Sequence, residues 1–539
     1  MSEFLIQNCQ LYRPFYPTNN KHFQVRVKDH KIVAVEESGY RTGKVKSFDA
    51  QNRTLVPSYK DSHIHLLRFS LMKRERDLRH VNTWKHLQEE LCDDKEKSSL
   101  SHNGWIVGRG LTDDQFLDRQ ANLRASDLDS LPIDMPIFLL HQDGHECLLN
   151  SIAIKEVQKN KDLEKEHDAF IEKDEEGNWT GRFMDTAVHF IKMNFRNKTC
   201  ADAKTALKDV FPYLAEYGIT HVDSDDLNYV GSYDKVWQAY TELDQEVGLP
   251  FGAYLHHYVY WKKDMENFLK NNKHRTGQGE GNVRVGAFKI FVDGTYRLHT
   301  AALSLPYEDV GGCGNLIYDE KELTEMLKLA EENRMQVAMH CIGDRAVEAA
   351  AIAIINANGR QCNPMRHRII HMQTTRTDLM KTLARYKIPV ETQPGFLQDD
   401  WSSYSKWVGK EREPMVGVGQ SLIDNEVVFT SSSDAPIGPL NPAEHIYSAV
   451  NRTDNNGQPA GGWQPREKMS VHHAFDSYCG TPTYLNHSDK YTGCLLPGYN
   501  ADMMLLEKHP MEVDPMELNK IKVEALWYRG RQVFDRYGN

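Results

Sequence analysis

Eight short apolar runs recur along the middle of the chain with helical stretches between them, and this alternation constrains the fold more than any other feature. The runs are TLVPSYKDSHIH ending at His65, GITHVDS from Gly218, GLPFGAYLHH from Gly248, VRVGAFKIFVDG from Val283, MQVAMHC from Met335, HRIIHMQ from His367, IPVETQP from Ile388 and VVFTSSSDAP from Val427. Between them lie stretches of helical period such as LTEMLKLAEENR and DRAVEAAAIAIINA. Alternating β and α units build a parallel sheet. Eight of them predict an α/β fold of the (β/α)8 TIM-type barrel class.

The two ends of the chain read differently. FLIQNCQLY, FQVRVKDHKIVAVEE and RTLVP near the start, and MMLLEKHP and VEALWYRGRQVFD near the finish, alternate apolar and polar residues between glycine and polar turns. Residues 1–56 and 486–539 are therefore expected to pair into one small β-sandwich domain, and residues 57–485 to form the barrel. Residues from about 66 to 200 exceed a minimal β/α unit and are expected to be an insertion after the first barrel strand, lying over the barrel mouth. It has its own strand-like runs, GWIVGRGL, MPIFLLHQDGH and GNWTGRFMD. Its charged stretch KNKDLEKEHDAFIEKDEEGN reads as a solvated helix and hairpin.

Composition removes several function classes. A net charge of −11, with no lysine- or arginine-rich block, argues against nucleic acid or a membrane surface as partner. The start, MSEFLIQNCQLYRPFY, lacks the features of a signal peptide. No run of about 18 apolar residues is present, so no membrane span is expected. Nine cysteines without a Cys-x-x-Cys pair read as reduced thiols of a cytoplasmic protein. A homodimer is the expectation for assembly.

His63 and His65 stand two residues apart, so on a strand both face the same side. Same-side imidazoles at a strand end can share one metal ion, although in a chain with 24 histidines such a pair also arises by chance. Other strand ends add to it: His340 closes VAMHC, His371 closes RIIHM, Asp434 follows FTSSS, and Lys289 stands between Phe288 and Ile290. Barrel enzymes carry their chemistry at the C-terminal ends of the strands. Singly, each histidine could be a core or capping residue, and Lys289 could pair with Asp293. As a set the residues point to a metal site; Lys289 cannot ligate as an ammonium, whereas as a carbamate it would offer oxygens.

The motifs resemble the amidohydrolase superfamily and, within it, the YtcJ-like group (amidohydrolase family 3). They run in order through the chain: DSHIHL at 61–66, GWIVGRGLTDDQF at 104–116, DGHECLLNSIAI at 143–154, GITHVDS at 218–224, KIFVDGT at 289–295, HCIGDRAVE at 340–348, RIIHMQ at 368–373, SSDAPIGPLNP at 432–442 and PGYNADMMLLE at 497–507. The resemblance implies a hydrolase cleaving an amide or other non-peptide C–N bond of a small molecule, such as an N-acyl or N-formyl amine. It implies one or two divalent ions, zinc being the expected metal. His63, His65, Lys289, His340, His371 and Asp434 match the family's metal ligands, Lys289 at the position carboxylated in binuclear members. Asp434 also matches the residue that handles the proton of the attacking water. Asp143, Gly144 and His145 match an insertion motif, with His145 an oxyanion donor, a substrate contact or an ordering residue.

One departure is Ser58, where the family's turn before the first motif carries glycine, so a changed turn is expected there, with Lys60 leaving it and playing no chemical part. Two other readings stay open. A mononuclear deaminase would need a glutamate after the strand-5 histidine, where this chain has Asp344. A non-catalytic metal-binding protein would have no reason to keep all six positions. VGGCGN at Val310 lacks the Lys-Ser/Thr of a phosphate loop. The pairs His256–His257 and His472–His473 have no supporting residues, although one of the first pair could line the pocket.

Overall fold

The computed structural model describes residues 3–12, 22–38, 45–92, 101–102, 104–112, 116–119, 122–141, 146–184, 187–188, 190–192 and 198–537. The chain divides into two compact units, one comprising Met1–Leu66, Val210–Leu227 and Tyr240–Asn539, the other Leu67–Asp209 and Asn228–Ala239.

The first unit contains the barrel. Its strands are β1 (Tyr59–Ile64), β2 (Ile219–Asp225), β3 (Gly252–Tyr258), β4 (Val283–Phe291), β5 (Gln336–Cys341), β6 (Arg368–His371), β7 (Val390–Thr392) and β8 (Phe429–Ser431). They pair in that order, each parallel to the next. All eight apolar runs thus become barrel strands. β8 comes back to β1 to close the barrel nearly completely: the Asp434 amide donates to the His63 carbonyl, and the His65 amide to the Ala435 carbonyl, both at 2.9 Å.

Helices follow the strands as the periodicity demands. In α1 (Glu320–Glu332), Leu323, Met326, Leu327 and Ala330 are buried at i, i+3, i+4 and i+7, and Asp319 caps the start by accepting the Glu322 amide. In α2 (Asp344–Ala357), the small residues Ala346, Ala350, Ala351 and Ala353 form much of the buried face. Gly343 precedes α2 directly after β5, and a Cβ there would overlap the Ala302 backbone carbonyl. Gly343→Ala is accordingly expected to cost about 1–3 kcal/mol by overpacking, read as a lowered denaturation midpoint.

The barrel interior is not filled by aliphatic side chains alone. Arg368 on β6 is fully buried and ion-pairs with Glu391 on β7 and, at 2.9 Å, with Asp223 on β2. It also reaches Gln336 on β5 at 3.2 Å and lies 3.1 Å from His256 on β3. His256 therefore belongs to this interior network and accepts the Ala287 amide through Nδ1. His257 packs on Phe268, ring centroids 4.6 Å apart. The sequence reading that this pair has no supporting residues is corrected: His256 is held by the Ala287 amide and lies against Arg368.

One eight-stranded sheet in the same unit joins the chain ends. Its order is Arg531–Asp535, Val523–Tyr528, Met503–Leu506, Thr54–Pro57, Glu3–Leu11, Phe23–Lys28 and Lys31–Glu37, with Lys46–Asp49 beside Glu3–Leu11. Alternate residues Ile6, Val25, Val27, Leu55, Met503, Leu505 and Trp527 form its core. Ser58 links this sheet to β1 without a left-handed backbone angle, so the turn does not need glycine. Its hydroxyl meets that of Thr220 at 2.6 Å. Lys60 lies within β1 rather than leaving a turn, buried with Nζ 2.9 Å from His221 Nδ1.

The second unit is built on a seven-stranded sheet ordered Ile171–Lys173, Trp179–Met184, Glu146–Leu149, Ile137–His141, Trp105–Leu111 and Arg76–Asp77, with Ser101–His102 beside Trp105–Leu111. Trp105, Val107, Phe138, Cys147 and Leu149 join one hydrophobic cluster, whereas Ile106, Ile137, Leu139 and Leu148 join another. Successive side chains point to opposite faces, so both faces are covered. That is why these strands read as unbroken apolar runs rather than alternating ones.

Candidate metal centre

Each candidate ligand is delivered by the C-terminal end of a barrel strand. β1 gives His63 and, one residue beyond its end, His65; β4 gives Lys289, β5 His340 and β6 His371, and Asp434 follows β8. Asp434 Oδ1 lies 3.3 Å from His63 Nε2 and 3.2 Å from His65 Nε2. Lys289 Nζ is 3.3 Å from His63 Nε2. The His371 ring stands 5.5 Å from that of His63 and 4.6 Å from that of His340, centroid to centroid. Thus one pocket brings together all six. Five of them are buried, Lys289 only 1 % exposed, and His65 is partly buried. His145, with Asp143 and Gly144, lies outside the described residues.

Hydrogen bonds fix which nitrogen is left for the pocket in three of the four rings. His65 Nδ1 is 2.7 Å from the Asp225 carbonyl oxygen and His340 Nε2 is 3.0 Å from that of Gly294. A carbonyl only accepts, so each of these nitrogens carries a proton, and in the neutral ring the other nitrogen keeps a lone pair. His371 Nδ1 donates to Gln393 Oε1 at 2.8 Å, which leaves Nε2 with a lone pair. Burial drives His63 to about 3, His340 to about 4 and His371 well below the usual imidazole range, with neighbouring cationic groups adding to the effect, so these rings are neutral. Burial is the largest single influence on His65 and opposes its charge, but the hydrogen bond to Asp434 and the charges of Asp434 and Asp225 together outweigh it and raise this histidine. Burial would raise Asp434; the hydrogen bonds with His63 and His65 prevail and hold it well below the ordinary carboxylate range.

Lone pairs and a carboxylate oxygen therefore face one another in a buried space, an arrangement that suits a cation. One ligand atom each from His63, His371 and Asp434 lies within 4.8 Å of the others. Neutral imidazole and carboxylate donors at this spacing fit a divalent ion. Among the described residues a second group with such spacing, His80, His86 and Glu90, is partly exposed. Backbone strain marks the buried site too: His371, Met372 and Asp434 hold left-handed angles of +78°, +44° and +51°. Such angles cost roughly 1–3 kcal/mol each for non-glycine residues and gather at functional sites.

Several neighbours were not foreseen from sequence. The carboxylate nearest Lys289 is Asp225, Oδ2 at 3.9 Å, not Asp293. Burial lowers the Lys289 pKa, and Asp225, Asp434 and Glu391 oppose that shift. Asp293 instead accepts the amides of Ala302, Ile342 and Gly343 at 2.8–2.9 Å and ties the segment after β4 to that after β5. The run HVDSDD offered several acidic residues, but not which one reaches β4. Asp344 accepts the Ser304 amide and hydroxyl and pairs with Arg376 at 2.9 Å.

A parallel eight-stranded barrel with imidazoles and a carboxylate gathered at its strand ends defines the class of barrel hydrolases built around metal ions. Residues 46–534 match the model of the amidohydrolase family, and the chain belongs to that family. It is 27 % identical to the amidohydrolase YtcJ of Bacillus subtilis over 503 residues, 92 % of each chain. It is 22 % identical to an N-substituted formamide deformylase of Arthrobacter pascens, over 91 % of this chain and 90 % of that one. A metal-dependent hydrolase from Pyrococcus horikoshii shares the fold, with a TM-score of 0.77 at 21 % identity, covering 95 % of this chain and 99 % of that one. Among the described residues no helix is long and apolar enough to cross a membrane.

Proposed function

We propose that the protein is a metal-dependent hydrolase that cleaves an amide or other non-peptide C–N bond of a small molecule with water. The observation that supports this reading most is the facing set of imidazoles and the Asp434 carboxylate at the strand ends. His63, His65, His340, His371 and Asp434 would hold one or two ions, with zinc suited to the nitrogen and oxygen donors. Lys289 would join them as a carbamate formed from its neutral amine and carbon dioxide with release of a proton. On the same reading residues 57–485 are the catalytic barrel, residues of about 66–200 an insertion, and the terminal segments a small β-sandwich.

When bound, the ion supplies Lewis acidity and a water of lowered pKa. Asp434, held ionised in its pocket, takes one proton from the attacking water as the water oxygen bonds to the carbonyl carbon. The C–N bond then breaks, and Asp434 returns that proton to the departing amine. The products are a carboxylic acid and an amine. His145 is proposed as a donor to the carbonyl oxygen or to the substrate. The similarity to a formamide deformylase supports N-formyl amines as the first compounds to assay, with N-acyl amines beside them. Deamination is disfavoured because Asp344 is already bound to Ser304 and Arg376.

Lys289→Ala tests the lysine. Zinc counted by elemental analysis is expected to fall relative to the wild type, with a loss of about 100-fold or more in kcat. A short carboxylate such as propionate is expected to restore part of the turnover by supplying the missing oxygens. Full zinc content and unchanged turnover in the variant would remove Lys289 from the site.

A further inference from the structure

Three imidazoles of the site turn one nitrogen away from the pocket, and each has an acceptor there. For His65 and His340 the acceptor is a backbone carbonyl, set by the path of the chain. For His371 it is a side chain, the Oε1 of Gln393. Gln393 directly follows β7 and is buried. Its amide nitrogen donates to Ser432 Oγ at 2.8 Å and approaches the Glu391 carbonyl at 3.4 Å. Both ends of the carboxamide are thus engaged, which decides that the oxygen is the end facing His371. The Ser432 amide donates to the Thr392 carbonyl at 2.9 Å, so the segment leading to Asp434 is held to the same strand end. Phe396 lies nearly parallel to the His371 ring, at 20° and 6.3 Å between centroids.

We infer that Gln393 is a positioning residue of the metal centre. It sets the tautomer and ring angle of His371 and, through Ser432, the placement of Asp434, so that two donors carried by different strands face one ion. The inference rests on the reading of this pocket as a metal site. A carboxylate is a common partner for a metal-bound imidazole, and it would add negative charge. The carboxamide orients the ring without that charge, next to a pocket that already holds Asp434 and Asp225. His371 and Asp434 both sit at left-handed backbone angles, and the Gln393 carboxamide ties the strand ends that carry them.

The test compares the wild type, Gln393→Leu and Gln393→Glu, each as the full chain. Zinc affinity is measured by competition with a chelator, the visible absorption of the cobalt-substituted protein is recorded, and the metal-free forms are melted. Gln393→Leu removes the acceptor and is expected to weaken zinc binding by about 10–100-fold and to shift the cobalt bands. Gln393→Glu keeps an acceptor at His371 Nδ1, its second oxygen can accept from the Ser432 hydroxyl in place of the lost donor, and it is expected to bind zinc as tightly as the wild type or more tightly. Wild-type affinity with an unchanged cobalt spectrum in Gln393→Leu overturns the assignment alone. If Gln393→Leu does not fold, Gln393→Glu decides: weakened binding in that variant also overturns it. A wild-type protein that takes up no tightly held ion overturns both this inference and the proposed function.

Discussion

Asp434→Asn is expected to lower kcat on the best N-formyl or N-acyl amine by roughly 100- to 10,000-fold, the usual contribution of a positioned general base. Asparagine removes the proton acceptor and keeps the shape. It also tolerates the left-handed angle of +51° found at this position, so the backbone after β8 is expected to hold. Alanine would confound the test, because it removes the ligand oxygen and strains the turn together. The assay pairs steady-state kinetics with zinc content and a thermal melt of the same preparation. Zinc-loaded, folded Asp434→Asn protein that turns over at the wild-type rate would show that another group takes the proton.

The largest loss of stability is expected from Arg368→Leu. The guanidinium is the cation between Asp223 and Glu391 in the barrel interior, and Arg368 and Glu391 are both inaccessible to solvent. Burial already raises Asp223 to about 6 and Glu391 to about 8, with Arg368 opposing the rise in each. Breaking a buried ion network by removing one side strands the other charges and costs about 3–5 kcal/mol. The sign of the pH dependence follows. A carboxyl whose folded pKa is raised binds more protons folded than unfolded, so stability falls as pH rises from the unfolded value of about 4 toward the folded one. Without Arg368 both carboxyls rise further, and the deficit of the variant should widen across that window. Urea unfolding at about pH 5 and about pH 8 measures it; a deficit below about 1 kcal/mol at both would mean the network carries no weight.

These two residues were not equally visible in the sequence. Asp434 stands out because it ends a β-rich run, where a barrel enzyme places its chemistry, and the same reasoning found His340 and His371. Arg368 opens the run RIIH and reads as an ordinary polar residue at a strand start. Its role depends on Asp223 and Glu391 arriving at the same height from β2 and β7. Strand alternation tells which face a side chain takes, but the stagger between strands decides which residues of other strands share its level. Gln393 and Asp225 escaped for the same reason, as did the amide partners of Asp293. Gln393, Asp225 and Asp293 are each a polar residue near a strand end whose partner comes from another strand or loop.

Ser58 and Lys60 show the limit from the other side. Serine in place of a glycine suggested an altered turn, yet the backbone there has no left-handed angle for a glycine to serve. Lys60 is buried in β1 against His221, a pairing that local pattern does not reveal.

By itself the sequence determined the number and order of the β/α units, the paired character of the chain ends and the residue types waiting at the strand ends. These follow from periodicity and from apolar runs, which are local properties of the chain. Tertiary structure alone decided that β1 and the segment after β8 meet, that Asp434 Oδ1 comes within 3.3 Å of His63 Nε2 and 3.2 Å of His65 Nε2, and which nitrogen His65, His340 and His371 turn inward. Those outcomes depend on closing the barrel and on hydrogen bonds to carbonyls and to Gln393 that are distant in sequence, so the local pattern carries no record of them.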